Sequence, residues 1–143
     1  MSVPEGARGE GKFSLAMKAS ELASYTIKIT ANKKVFISDY QSSLTDDIVT
    51  QAKNAYIFIR EANEIIPDPE SETYTKDRRE RSRLQKEAIK CLRRLVWLID
   101  LAHHTFHLSR QRVKFWGEMT INVRDRTYHW MKSDMHRFSD EEQ

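Results

Sequence analysis

Glycine and proline are scarce enough in this sequence to decide its fold class. Four glycines and three prolines are all that 143 residues hold, under half the usual share of roughly 12%. The chain therefore lacks the turn residues that hairpins and tight crossovers need, and sheet-rich folds are disfavoured. Its length suits one domain with a real core. Charged residues reach 31%, yet the aromatic content of 10% is too high for a disordered chain. The expectation is an all-α fold of amphipathic helices.

Apolar spacing predicts four of them. The first covers about Phe13 to Lys33, with Leu15, Ala19, Leu22 and Ile29 on one stripe and Tyr25 and Ile27 beside it. The second, Ser43 to Ile66, carries Leu44, Ile48, Ala52, Ala55, Ile59, Ala62 and Ile66 at steps of four or three, with Ser43 or Thr45 as cap ahead of Asp46 and Asp47. Pro67-Asp68-Pro69 stops it, because neither proline can continue the hydrogen-bond ladder. The third, Thr75 to Leu108, has Leu84, Ala88, Cys91, Leu95, Leu98 and Ala102 inward; the fourth starts at the cap Ser109 and runs to about Lys132, with Val113, Trp116, Thr120, Val123, Thr127 and Trp130 inward. Four long helices with short links predict an up-down four-helix bundle over 13–138, flanked by a flexible arm at 1–12 and an acidic tail at 139–143.

The formal net charge of +3 hides an asymmetry. Residues 1–73 hold 8 Lys and Arg against 11 Asp and Glu, whereas residues 74–138 hold 16 against 7, a net +9. Such a block favours polyanions. On the third helix Arg79, Arg83, Lys86, Lys90 and Arg93 form a stripe opposite the apolar one, with Arg78, Arg81 and Arg94 adding to it. The fourth adds Arg110, Arg112, Lys114, Arg124, Arg126, Lys132 and Arg137. A row of this kind can track phosphates, each contact releasing counterions; the alternative is a solvated face interspersed with Glu80 and Glu87.

Other chemistry finds less support. Asp100, His104 and His107, with His103 nearby, sit at spacing that could present metal ligands on one helical face, but the other helices offer no inward Glu-x-x-His partner, so structural or interfacial histidines are expected. Cys91 lies on the apolar stripe, where a thiol is a small hydrophobe, and neither a glycine-rich phosphate loop nor a nucleophile elbow is present. A lone cysteine makes no internal disulfide, which suits a reducing, cytoplasmic setting. The stretch 1–12 has no apolar core of a signal peptide, and the run Leu95–Ile99 between Arg94 and Asp100 is far too short to span a bilayer. No enzyme activity, cofactor or metal is expected.

Several stretches together resemble one family. Ser20-Glu21-Leu22-Ala23-Ser24-Tyr25, Asn32-Lys33-Lys34 with Phe36, Leu44-Thr45-Asp46 with Ile48, Glu61-Ala62-Asn63-Glu64-Ile65, Leu84-Gln85-Lys86 with Ala88, and Trp130 with Lys132-Ser133-Asp134 look like the bacterial four-helix bundles related to accessory variability determinants of diversity-generating retroelements. The same superfamily includes proteins encoded in intervening sequences of 23S rRNA genes. The resemblance covers about Phe13 to Phe138. It implies a basic, homo-oligomeric barrel, pentameric, that binds the retroelement's reverse transcriptase and its RNA or DNA template as a non-catalytic partner in mutagenic reverse transcription. Two positions depart from the family's pattern: Ile37 stands where relatives often have Pro, and Asp47 where a basic residue is common. The alternative is an intervening-sequence-type structural bundle that binds no nucleic acid. Self-association is also expected from apolar residues beyond the core stripes, namely Val49, Tyr56 and Phe58 on the second helix and Phe115, Ile121 and Met131 on the fourth.

Overall fold

The computed structural model describes residues 5–36 and 41–138, with side chains for 14–36 and 43–138. Four helices make up the architecture: α1 (Glu5–Ala31), α2 (Gln41–Glu64), α3 (Tyr74–Phe106) and α4 (Arg110–Phe138), with no strand among the described residues. Each helix packs on the next in sequence, and α4 returns against α1 to close a ring. Ring contacts set the directions. Phe138 at the end of α4 meets Tyr74 at the start of α3, while Phe36, just past α1, meets Phe106 at the end of α3. This is the up-down order.

The apolar stripes become the core. Leu15, Ala19, Leu22 and Ile29 of α1, Leu44 through Ala62 at the predicted steps of α2, Leu84, Ala88, Cys91, Leu95 and Ala102 of α3, and Trp116 and Val123 of α4 are all buried. Thr120 and Thr127 are buried on the same face of α4, and each satisfies its hydroxyl on a carbonyl one turn back, at 2.8 Å to Trp116 O and 2.7 Å to Val123 O. Burial pushes the Cys91 thiol pKa up, so the thiol is held neutral inside the bundle. Among the described residues no helix is long and apolar enough to cross a membrane.

The helix ends differ from expectation for local reasons. The backbone is already helical from Glu5, within the stretch 1–12 expected as a loose arm, because Glu5, Ala7, Arg8, Glu10 and Lys12 are adequate helix formers and each glycine among them costs only about 1 kcal/mol. Helix α2 begins at Gln41, so Ser43 and Thr45 lie inside it and do not cap it, and no acidic residue occupies its first turn. It ends at Glu64, which leaves Ile66 75% exposed beyond the core stripe, while Pro67 is buried. Two short bonds then shape the turn: Asp68 Oδ1 accepts from Glu70 N at 3.0 Å, and Ser71 Oγ accepts from Thr73 N at 3.1 Å. Ser109 caps α4 as expected, its Oγ accepting from Arg112 N at 3.2 Å. Before it, His107 closes α3 in the left-handed conformation at φ 54°.

Among the described residues a Cβ built on Gly117 meets nothing within 4 Å, so no packing there requires glycine. Gly117→Ala is expected to stabilise the bundle by about 0.5–1 kcal/mol through helix propensity alone, read as a higher midpoint in chemical denaturation. A lower midpoint would show that a close neighbour occupies that face in the folded protein.

Candidate nucleic-acid interface

Up-down topology places the end of α4 beside the start of α3, and between them lies an open cleft of about 860 Å³. The same cleft gathers cations that are far apart in sequence. Arg78, Arg79, Arg81, Arg83 and Lys86 come from α3 and Lys132 from α4, against a single carboxylate among the described residues, Asp134. Met131, Met135 and Phe138 supply an apolar wall, and Ser82, Gln85 and His136 complete the polar lining.

Arg81 is the one cation of this set that does not face solvent. It is 2% exposed, contrary to its expected place on the basic stripe. Its Nε donates to Asp134 Oδ2 at 2.6 Å and its Nη2 to Oδ1 at 3.2 Å, a bidentate pair. Nη1 donates to Ile65 O at 2.7 Å, so the guanidinium also occupies a carbonyl just past the end of α2 that Pro69, which has no N–H four residues on, cannot serve. The Trp130 ring lies 5.0 Å from the guanidinium carbon and that of Phe138 5.8 Å. Gln85 Nε2 donates to Asp134 Oδ2 at 2.7 Å, and the Arg137 guanidinium approaches Oδ1 at 3.7 Å. Arg78 and the Tyr74 hydroxyl both donate to Phe138 O, which fastens the last turn of α4 to the first of α3. The end of α2, the start of α3 and the end of α4 are thus joined by one buried polar network. The cleft's rim stands on it.

Of the residues expected to bind, Arg79, Arg83 and Lys86 line the cleft, and Lys90, Arg93 and Arg94 are exposed farther along α3. Arg83 donates to Glu80 at 2.7 and 3.0 Å, and that hydrogen bond holds the Glu80 carboxyl below its ordinary pKa while raising that of Arg83. Lys90 pairs with Glu87 at 3.7 Å. Exposed ion pairs of this sort are loose and exchange readily for another anion. Arg110, Arg112 and Lys114 sit at the opposite end of the bundle, since α4 advances about 30 Å between Arg112 and Lys132 at 1.5 Å per residue. Arg124 pairs with Asp125 at 3.3 Å, and Arg126 is exposed, both midway along α4. The basic residues of α3 and α4 are therefore spread along the whole bundle, and those that line the cleft come from both helices.

In the sequence Lys132 is one more cation of the fourth helix, and nothing local connects Met131, Met135, His136 and Phe138 with the start of α3. The usable signal was the topology itself, because two antiparallel neighbours bring the end of one to the start of the other. Asp100, His104 and His107 are not drawn together into one ligand set. Asp100 and His104 are 74% and 73% exposed and meet only loosely at 3.9 Å, and His107 turns away at the end of the helix. Among the described residues no group of three or more His, Cys, Asp or Glu is arranged to hold a metal ion.

The apolar surplus is also redistributed. Tyr56 and Phe58 pack on the core, and Val49 and Met131 are half-buried, whereas Phe115 and Ile121 are exposed as expected. Trp97, 63% exposed, and Leu101 stand one turn apart on α3 beside Arg93 and Arg94. Comparison with family models, curated proteins and solved structures returned no match.

Proposed function

We propose that this chain is a non-catalytic nucleic-acid-binding bundle that grips phosphates in the cleft between the start of α3 and the end of α4. The observation that carries this reading is the charge of the cleft: among the described residues its one carboxylate is matched to Arg81, which leaves Arg78, Arg79, Arg83, Lys86 and Lys132 as a positive excess. Phosphates suit such a lining because each contact releases counterions to solvent. The family resemblance supplies the partners in this reading: a reverse transcriptase of a diversity-generating retroelement and its RNA or DNA template, bound in the cytoplasm by a homo-oligomeric, pentameric barrel. Exposed Trp97, Leu101 and Phe115 favour self-association, as an isolated bundle gains nothing from wetting such side chains.

A second reading draws on the pairs Glu80–Arg83, Glu87–Lys90 and Arg124–Asp125, which offset part of the positive surface locally. They suit an intervening-sequence-type structural bundle without nucleic-acid affinity. Titration of labelled single-stranded RNA between 50 and 200 mM salt separates the two. Binding is expected, and joint Lys86→Glu and Lys132→Glu replacement should flatten the log–log salt slope by about 1.4, near 0.7 for each lost contact on a single strand. Joint Arg110→Glu and Lys114→Glu replacement, at the other end, should leave the slope unchanged. The reverse pattern would move the interface to that end, and no binding at the lowest salt would leave the structural bundle standing.

A further inference from the structure

Resting on the nucleic-acid reading above, we infer that the cleft between α3 and α4 receives one unpaired nucleotide, its phosphate on the cationic rim and its base against the apolar wall, and thereby selects single strands over duplexes. A surface that only tracked phosphates would need no concavity and no apolar lining. This one is a cleft of about 860 Å³, within the roughly 300–1,000 Å³ of small-ligand pockets. The convex backbone of a duplex cannot enter such a space, whereas a splayed nucleotide can.

Its chemistry divides the way a nucleotide does. Arg79, Arg83 and Lys86 on one side and Lys132 on the other suit the phosphate, while Met131 and Met135 suit the flat face of a base. Met135 is 59% exposed, and its flexible, polarizable thioether can settle on any of the bases, so the wall selects for the presence of a base more than for its identity. Gln85 adds a polar feature to the lining. Its Nε2 is committed to Asp134 at 2.7 Å, which fixes the orientation of the amide because a carboxylate can only accept. Its Oε1 is left buried with no hydrogen-bond partner among the described residues. An unpaired base has free N–H donors for such an acceptor, and a duplex base has already spent its own on the opposite strand.

Three labelled probes of equal length test this: single-stranded oligoadenylate RNA, a sugar-phosphate strand without bases, and an RNA duplex. Charge alone favours the duplex, so a preference for the single strand runs against the electrostatic trend. The single strand is expected to bind about tenfold more tightly than either of the others at one salt concentration. Met135→Ser, on an exposed side chain that folding does not need, should bring the single strand down toward the baseless strand, and Met135→Leu should preserve the difference. Equal affinity for the baseless strand or the duplex, or no effect of Met135→Ser, would overturn the inference and leave phosphate gripping intact. Absence of binding by all three probes at low salt would overturn both.

Discussion

Asp134→Ala is expected to cost about 3–5 kcal/mol of folding stability, because it leaves the Arg81 guanidinium buried without a counter-charge. Arg81 is 2% exposed and Asp134 7%, and their two hydrogen bonds at 2.6 and 3.2 Å form the centre of the network that joins α2, α3 and α4. Water cannot replace the lost carboxylate without reopening that junction. Gln85 would lose its acceptor in the same step. Arg81→Met should cost a similar amount by stranding Asp134. Replacement of both, as Arg81→Met with Asp134→Leu, should cost far less than the two single changes together, since the desolvation of two charges disappears along with their attraction. Urea denaturation of the four proteins closes the cycle. A loss under about 0.5 kcal/mol for Asp134→Ala would mean that solvent reaches the guanidinium through the cleft, as at an ordinary surface site.

Trp116→Ala is expected to cost about 3–5 kcal/mol at the opposite end of the bundle, where the loss is volume before charge. The indole is fully buried, 6.2 Å from the Phe36 ring and 6.1 Å from that of Tyr25. Its Nε1 donates to Thr26 Oγ1 at 3.0 Å, across the seam between α4 and α1. Truncation opens a cavity and removes that bond together. Trp116→Phe keeps most of the volume and should lose about 1 kcal/mol from the hydrogen bond, plus a smaller packing term. Thermal and chemical melts of the two variants separate the contributions. Equal losses would show that the hydrogen bond, and not the cavity, dominates there.

The two sites differ in how far the sequence reveals them. Trp116 was legible as core because it falls in step with Thr120, Val123 and Thr127, and an apolar side chain at helical spacing has only the core to face. Arg81 was not legible. Its neighbours Arg78, Arg79 and Arg83 are all cations, and nothing in a run of charges distinguishes the one whose partner lies 53 positions away on another helix. The same blindness shortened the fourth helix. Asp134 reads as a solvent-facing residue, so the inward pattern stops near Lys132, although the helix continues to Phe138 in order to deliver that carboxylate to Arg81.

Scarcity of glycine and proline, and four apolar stripes of period near 3.6, determined on their own that this protein is all-helical and which face of each helix is buried. Those are local consequences of backbone geometry and of removing apolar surface from water, and both can be read residue by residue along the chain. The cleft, its division into cationic rim and apolar wall, and the meeting of Lys132 with the basic residues at the start of α3 were decided only by the tertiary structure. Charge carries no direction along a sequence. Its effect depends on which other charges lie within a few ångströms, and antiparallel packing of α3 against α4 sets those distances.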